Sequence, residues 1–195
     1  MVQTLKIYIP LSLMRTSYTN NDINYGDIIK SIAFAQSPAT IVEIGILGGF
    51  SLDIFVKSTS HHTNILAYDI FDEFNGNAAN KEELRSTFKE QPNVTIDYGD
   101  FYKLHHTLPS NIDILHIDVA NDGDIYEFAI GNYTKLMSPT GVMVLEGGSK
   151  ERDEVGWMKN YNKSPINPYL QKINSMTLGS VPSITIIKNT NFHSN

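Results

Sequence analysis

Cysteine is absent from the 195-residue chain, which excludes disulfides, thiolate metal sites and thiol nucleophiles together. The same absence leaves the redox compartment open. Arginine is scarce: among 15 basic residues only Arg15, Arg85 and Arg152 are arginines, and they are scattered. A phosphate backbone is gripped by clustered cations that release counterions. With 21 acids against 15 bases, the formal charge here is −6, and no nucleic-acid partner is expected. No apolar run approaches the roughly 18 residues that span a bilayer, so no membrane partner is expected either. The opening stretch 1–13 carries Pro10 and lacks a small-residue cleavage pattern, and it does not read as a signal peptide. Repeats and low-complexity tracts are missing too. What is present, 41% hydrophobic and 18% charged residues, is ordinary globular material. The length suits one domain with a substantial core. The expectation is a cytoplasmic protein, with a homodimer left open as its assembly.

Apolar, β-branched runs alternate with helix-like segments. Strands are expected at 41–45, 65–71, 94–98, 112–118 and 142–146. Helices are expected at 50–57, 80–90 and 126–137, the second closed by Pro92 and the third by Ser138-Pro139. A short helix at 168–175 precedes a strand pair at 176–178 and 184–188. Such alternation predicts βαβ units, hence an α/β fold whose sheet is mostly parallel with helices on both faces. Strands one, four and five are nearly all apolar, as central strands covered on both faces must be. The final run has no helix after it and is expected to enter antiparallel, giving seven strands. The single domain divides into an N-terminal substrate or cap segment (1–40), a cofactor-binding core (41–146), a lid (147–167) and the terminal helix and strand pair (168–195).

The strongest local pattern is the turn after the first strand, Val42-Glu43-Ile44-Gly45-Ile46-Leu47-Gly48-Gly49-Phe50-Ser51. Glycines there let the backbone approach a ligand, and the following helix offers free N–H groups. The dinucleotide fingerprint G-x-G-x-x-G is absent, which disfavours an NAD-dependent oxidoreductase. What fits is E-x-G-x-x-x-G-x-S, through Glu43, Gly45, Gly49 and Ser51. This pattern resembles motif I of the class I S-adenosylmethionine-dependent methyltransferases. Asp69 stands at the end of the second strand, where a carboxylate can accept both ribose hydroxyls of an adenosyl cofactor; Asp72 and Glu73 are close competitors. Asp100 and Phe101 follow the third strand, where the resemblance implies a polar contact to the adenine amino group and an apolar one to its ring.

The fourth and fifth strands end in Leu115-His116-Ile117-Asp118 and Val142-Met143-Val144-Leu145-Glu146. With the helix bearing Tyr126-Glu127-Phe128-Ala129-Ile130, they resemble the catechol O-methyltransferase-like and macrocin O-methyltransferase-like branch, over about residues 41–146. The resemblance implies a Rossmann-like sheet, S-adenosylmethionine as cofactor, and methyl transfer to a small molecule, at an oxygen. In that branch acids after strands four and five hold a divalent metal that activates a hydroxyl. Asp118 and Glu146 match those positions, and Mg²⁺ suits such oxygen ligands. The branch, however, usually presents a second Asp or Asn where this chain continues Gly147-Gly148. Without metal, Asp118 or His116 is the candidate base, since both can point to one face of the strand. The stretch 149–167 reads as a mobile lid whose Lys150, Arg152, Trp157, Lys159 and Tyr161 can meet an acidic or planar substrate. His61-His62 and His105-His106 read as surface pairs. A cofactor-binding but catalytically silent partner module is the remaining alternative.

Overall fold

The computed structural model describes residues 25–74, 77–171 and 173–189. Residues 1–24, most of the expected cap segment, lie outside the described residues.

Seven strands form one sheet: β1 (Thr40–Ile44), β2 (Asn64–Asp69), β3 (Val94–Tyr98), β4 (Ile112–Ile117), β5 (Met137–Glu146), β6 (Ser175–Gly179) and β7 (Ser183–Lys188), in the order β3-β2-β1-β4-β5-β7-β6. The first five run parallel, and β7 is antiparallel to both β5 and β6. The expected seven-stranded, mostly parallel sheet is therefore present. Eight α-helices accompany it among the described residues: α1 (Tyr25–Gln36), α2 (Phe50–Ser58), α3 (Lys81–Thr87), α4 (Phe101–Leu104), α5 (Gly123–Tyr133), α6 (Lys150–Asp153), α7 (Gly156–Asn160) and α8 (Asn167–Leu170).

Strand alternation splits the core into two layers. Ile41, Ile65 and Ile114 pack with Ile29 of α1, Phe55 of α2 and Leu84 of α3. Val42, Leu115 and Ile117 face the other way, onto Leu104 of α4, Ala129 and Tyr133 of α5, and Leu170 of α8. Chain direction reverses its spread at β1, which has β2 on one side and β4 on the other. Ligands of open α/β sheets bind at such a switch point, beyond the carboxyl ends of the strands.

Three stretches differ from expectation. The first is α1, which lies inside the segment expected as a substrate or cap region with no element assigned; its exposed Phe34 and Ala35 blur the apolar stripe of Tyr25, Ile29 and Ala33. In the second, α5 starts at Gly123 because Asp122 caps it, accepting from the Ile125 amide at 3.0 Å. Its early end frees Met137 to begin β5, so Ser138-Pro139 sits inside the strand. The third is the presumed lid, which is tied down. Arg152, Met158 and Ile166 are buried, and the Asp153 carboxylate accepts from the amides of Ile166 and Asn167 at 2.8 and 2.7 Å.

Candidate active site

The turn after β1 is built around Gly45, whose φ of +93° suits glycine. A Cβ at Gly45 would collide with the carbonyl of Asp118, so β1 and β4 exit side by side only with hydrogen at that position. Gly49, also left-handed at φ +81°, begins α2 close against Leu84 and Phe88. The loop between these glycines is held from β2. Asp69 is buried, and its Oδ2 accepts from the amides of Ile46 and Leu47 at 2.8 and 3.2 Å. Its Oδ1 accepts from the Phe71 amide at 2.8 Å and the Asn77 side-chain amide at 2.6 Å. A carboxylate offers about four acceptor positions, and protein donors take four here.

A cavity of about 900 Å³ opens at this switch point, at the upper end of the size of small-molecule sites. Gly45, Ser51, Asp69, Asp100, Phe101, Asp118 and Glu146 all line it, so the structure brings together seven of the expected site residues. Asp100 caps α4 by accepting from the Tyr102 amide at 2.9 Å and pairs with Lys103 at 2.9 Å. The Lys103 ammonium holds its carboxyl below the ordinary range. Phe101 is buried and stacks on Tyr133 with centroids 5.5 Å apart, while the neighbouring Tyr102 is half exposed and also lines the cavity. Asp118 follows β4, its amide donating to Ile44 at 2.9 Å, and is half-buried on the wall.

Glu43, Gly49 and His116 are not on that wall. Glu43 and His116 are fully buried on the face that packs against α2. One Glu43 oxygen accepts from Ser51 Oγ and lies 3.2 Å from His116 Nδ1, and the imidazole sits edge-on to Phe55. The other finds no partner among the described residues. The role expected for His116 at the acceptor is corrected: its strand alternation is as read, but β4 ends at Ile117, so Asp118 reaches the cavity and His116 stays in the core. Glu43 likewise ties α2 to β1 and β4 from behind the wall. His105, expected on the surface, is buried against Phe128 and Tyr133, and burial pushes its pKa down.

The expected metal pair also needs correction. Glu146 is held by Arg152, Nε to Oε1 at 2.8 Å and Nη2 to Oε2 at 2.9 Å, both side chains buried. Burial pushes the Glu146 carboxyl up and Arg152 opposes that shift. A bidentate guanidinium fills the carboxylate face a cation would need, and no group of three His, Asp or Glu residues able to hold a metal exists among the described residues. The residues do not fit Mg²⁺. Of the basic and aromatic lid residues, Arg152 and Trp157 line the cavity, whereas Lys150, Lys159 and Tyr161 do not. Glu73, a competitor in the sequence, lines it with an exposed side chain whose Oε2 accepts from Tyr98 Oη at 2.7 Å. Asn77 and Phe74 carried no signal in the sequence, because their place depends on how the β2–α3 connection folds back.

The sheet order and the cavity at its switch point define a doubly wound α/β protein of the cofactor-binding class. Residues 42–146, more than half of the chain, match the model of the methyltransferase domain family, and the chain belongs to that family. No curated protein matches it. Its fold recurs in solved structures of low identity. An O-methyltransferase from Bacillus cereus in complex with SAH is 16% identical, with a TM-score of 0.61 over 91% of this chain and 85% of that one. The O-methyltransferase TomG from Streptomyces achromogenes, in complex with SAM, is 17% identical with a TM-score of 0.59, over 86% and 80%. SAH-bound PaMTH1 from Podospora anserina is 17% identical with a TM-score of 0.59, over 86% and 78%. No helix among the described residues is long and apolar enough to cross a membrane.

Proposed function

We propose that the chain is an S-adenosylmethionine-dependent O-methyltransferase of a small-molecule acceptor. The observation that carries this reading is the cavity at the Gly45 turn, whose acids outnumber its cations: Asp69, Glu73, Asp100, Asp118 and Glu146 against Arg152 and Lys163. Lys163 pairs with Asp122 at 2.9 Å, and Arg152 with Glu146. With five acids to two paired cations, the wall as a whole is negative and disfavours the diphosphate of a dinucleotide. A cationic sulfonium suits such a wall.

S-adenosylmethionine supplies a methyl group on a positively charged sulfur, and what remains for the protein is alignment and exclusion of water. The residues fit it. Gly45 lets the backbone lie close at the strand crossing, and Ser51, fixed by Glu43, lines the wall beside it. Asp69 spends its acceptors on the loop, so Glu73 is the acid with acceptor positions to spare for ribose hydroxyls, and Asn77, which donates to Asp69, also lines the wall. Asp100 and the aromatic pair Phe101 and Tyr102 bound the adenine end. Asp118 orients the acceptor hydroxyl and takes up its proton. No step runs through a metal. Calorimetric titration tests the reading: S-adenosylmethionine and S-adenosylhomocysteine should each bind at one site, and NADH should not. Binding of NADH without response to either adenosyl compound overturns it.

A further inference from the structure

Arg152 belongs to the short helix α6, yet its side chain is carried into the core rather than to solvent, with the residue only 5% exposed. A guanidinium has five N–H donors. Nε and one N–H of Nη2 go to Glu146, and the other N–H of Nη2 faces the Asn121 carbonyl at 3.4 Å. Nη1 has no partner among the described residues. Its two donors are therefore buried and unmatched, a state costly enough that proteins rarely leave it unused. The guanidinium carbon lies 4.6 Å from the ring centre of Trp157, and the two bonds to Glu146 set its plane. Glu146 is fixed in turn: Asn121 and Tyr126 donate to its backbone carbonyl at 2.9 and 3.1 Å. Arg152 and Trp157 both line the cavity that Asp118 borders.

From this arrangement we infer that Arg152 is the acceptor-binding cation of the cavity: paired with Glu146, it takes the carboxylate that a divalent ion would need, and it selects an acceptor that carries a carboxylate beside a planar body. The inference rests on the methyl-transfer reading. The chemistry follows from the donor set. A divalent ion would bind the reacting oxygen and lower its pKa, but a guanidinium already paired to Glu146 cannot do so. It can hold a carboxylate oxygen through the donors of Nη1, with a charge-assisted bond stronger than a neutral one. Trp157, Phe74 and Tyr102 supply flat apolar walls for the rest of the molecule. The acceptor's own hydroxyl then falls to Asp118, so recognition and proton removal are done by different residues.

Trp157 is the only tryptophan in the chain, so its fluorescence reads this spot directly. Benzoate and benzamide, which differ in charge and hardly in shape, are titrated against the free protein and against protein loaded with S-adenosylhomocysteine. Benzoate should give a saturable change about tenfold tighter than benzamide, the ratio that about 1.4 kcal/mol of charge-assisted bonding produces. Arg152→Lys, which keeps the charge and loses the fork, should lose most of that preference while a circular-dichroism melt reports its folding. Arg152→Gln should abolish the preference. Mn²⁺ added to the loaded protein should show no saturable site by electron paramagnetic resonance. Equal binding of benzoate and benzamide, or a one-to-one Mn²⁺ site abolished by Glu146→Gln, overturns the inference. Failure of S-adenosylhomocysteine to bind would instead sink the methyl-transfer reading, leaving the benzoate preference of the free protein to decide the role of Arg152.

Discussion

Replacing Asp69 with asparagine removes a charge and turns one acceptor oxygen into a donor. Whichever way the amide settles, one pair of donors loses its partner: Ile46 and Leu47 on the glycine loop, or Phe71 and Asn77 on the β2 exit. Hydrogen bonds to a charged group contribute roughly 1.5–3 kcal/mol each. Two such bonds give an upper figure of about 6 kcal/mol, and water reaching the part-buried Leu47 amide lowers this to about 3 kcal/mol. For a chain of this length, each kcal/mol moves the midpoint by roughly 2–4 °C, so Asp69→Asn should melt about 6–12 °C lower. Glu73→Gln is the control. Its carboxylate is exposed and touches Tyr98 Oη, so its midpoint should move by no more than about 2 °C. Calorimetry then reads binding of S-adenosylhomocysteine. Glu73→Gln should weaken it by roughly 1–3 kcal/mol with stability intact, and Asp69→Asn should lose stability and affinity together. The reasoning is refuted if Asp69→Asn melts with the wild type yet loses the ligand, because Asp69 is then a direct contact and not a brace.

Asp118→Asn should lower turnover on the true acceptor by roughly two to four orders of magnitude, the worth of a general base, while S-adenosylhomocysteine affinity stays unchanged and chelator has no effect on either protein. Lys103 holds the Asp100 carboxyl below its ordinary range, and Lys81 does the same for Asp97. A carboxyl lowered on folding stabilises above its unfolded value, near roughly pH 4, and that stability is lost as pH falls through the folded value. The melting midpoint should thus drop on acidification below about pH 4, and less steeply in Lys103→Met, as a pH series of melts would show. Asp153→Ala leaves the amides of Ile166 and Asn167 without their carboxylate. Trypsin should then cut at Lys159 and Lys163 faster than in wild type, with equal rates arguing that the segment is held by its apolar anchors alone.

The periodicity of the chain discloses the sheet because central parallel strands must be largely apolar on both faces, and Ile41–Ile44 and Ile112–Ile117 are, Glu43, Asp113 and His116 apart. It discloses the glycine turn because φ of +93° at Gly45 leaves a compositional trace. It does not separate acids that bind from acids that brace. Glu43, Asp69 and Glu146 stand at strand ends where ligand contacts are expected, yet their oxygens meet Ser51 and His116, the glycine loop, and Arg152. Each of those donors comes from elsewhere in the chain or from a local fold-back, so the distinction exists only once the chain is packed. Helix α1 and the anchored stretch 149–167 escape for a related reason. In α1 the regular stripe of Tyr25, Ile29 and Ala33 is masked by exposed apolar Phe34 and Ala35, and in 149–167 the few buried residues, among them Arg152, Met158 and Ile166, are spaced by tertiary contact rather than by a regular period.

That sorting of acids has an electrostatic consequence. Asp69 is shielded by hydrogen bonds and Glu146 is neutralised by Arg152, so two of the strand-end carboxylates shape the wall, while Glu43 lies behind it. Glu73, Asp100 and Asp118 line the same cavity, and Asp100 shares its charge with Lys103. Glu73 and Asp118 both line the cavity, one from the β2 exit and one from the β4 exit, and with Asp100 they make its lining acidic. A cationic group bound there is attracted, while its neutral product is not. The wall thus favours release after methyl transfer, since loss of the sulfonium charge removes an attraction that a partly buried site screens poorly. Raising the salt concentration should weaken binding of S-adenosylmethionine more than that of S-adenosylhomocysteine. Equal salt dependence for the two would mean that these carboxylates do not sense the sulfonium.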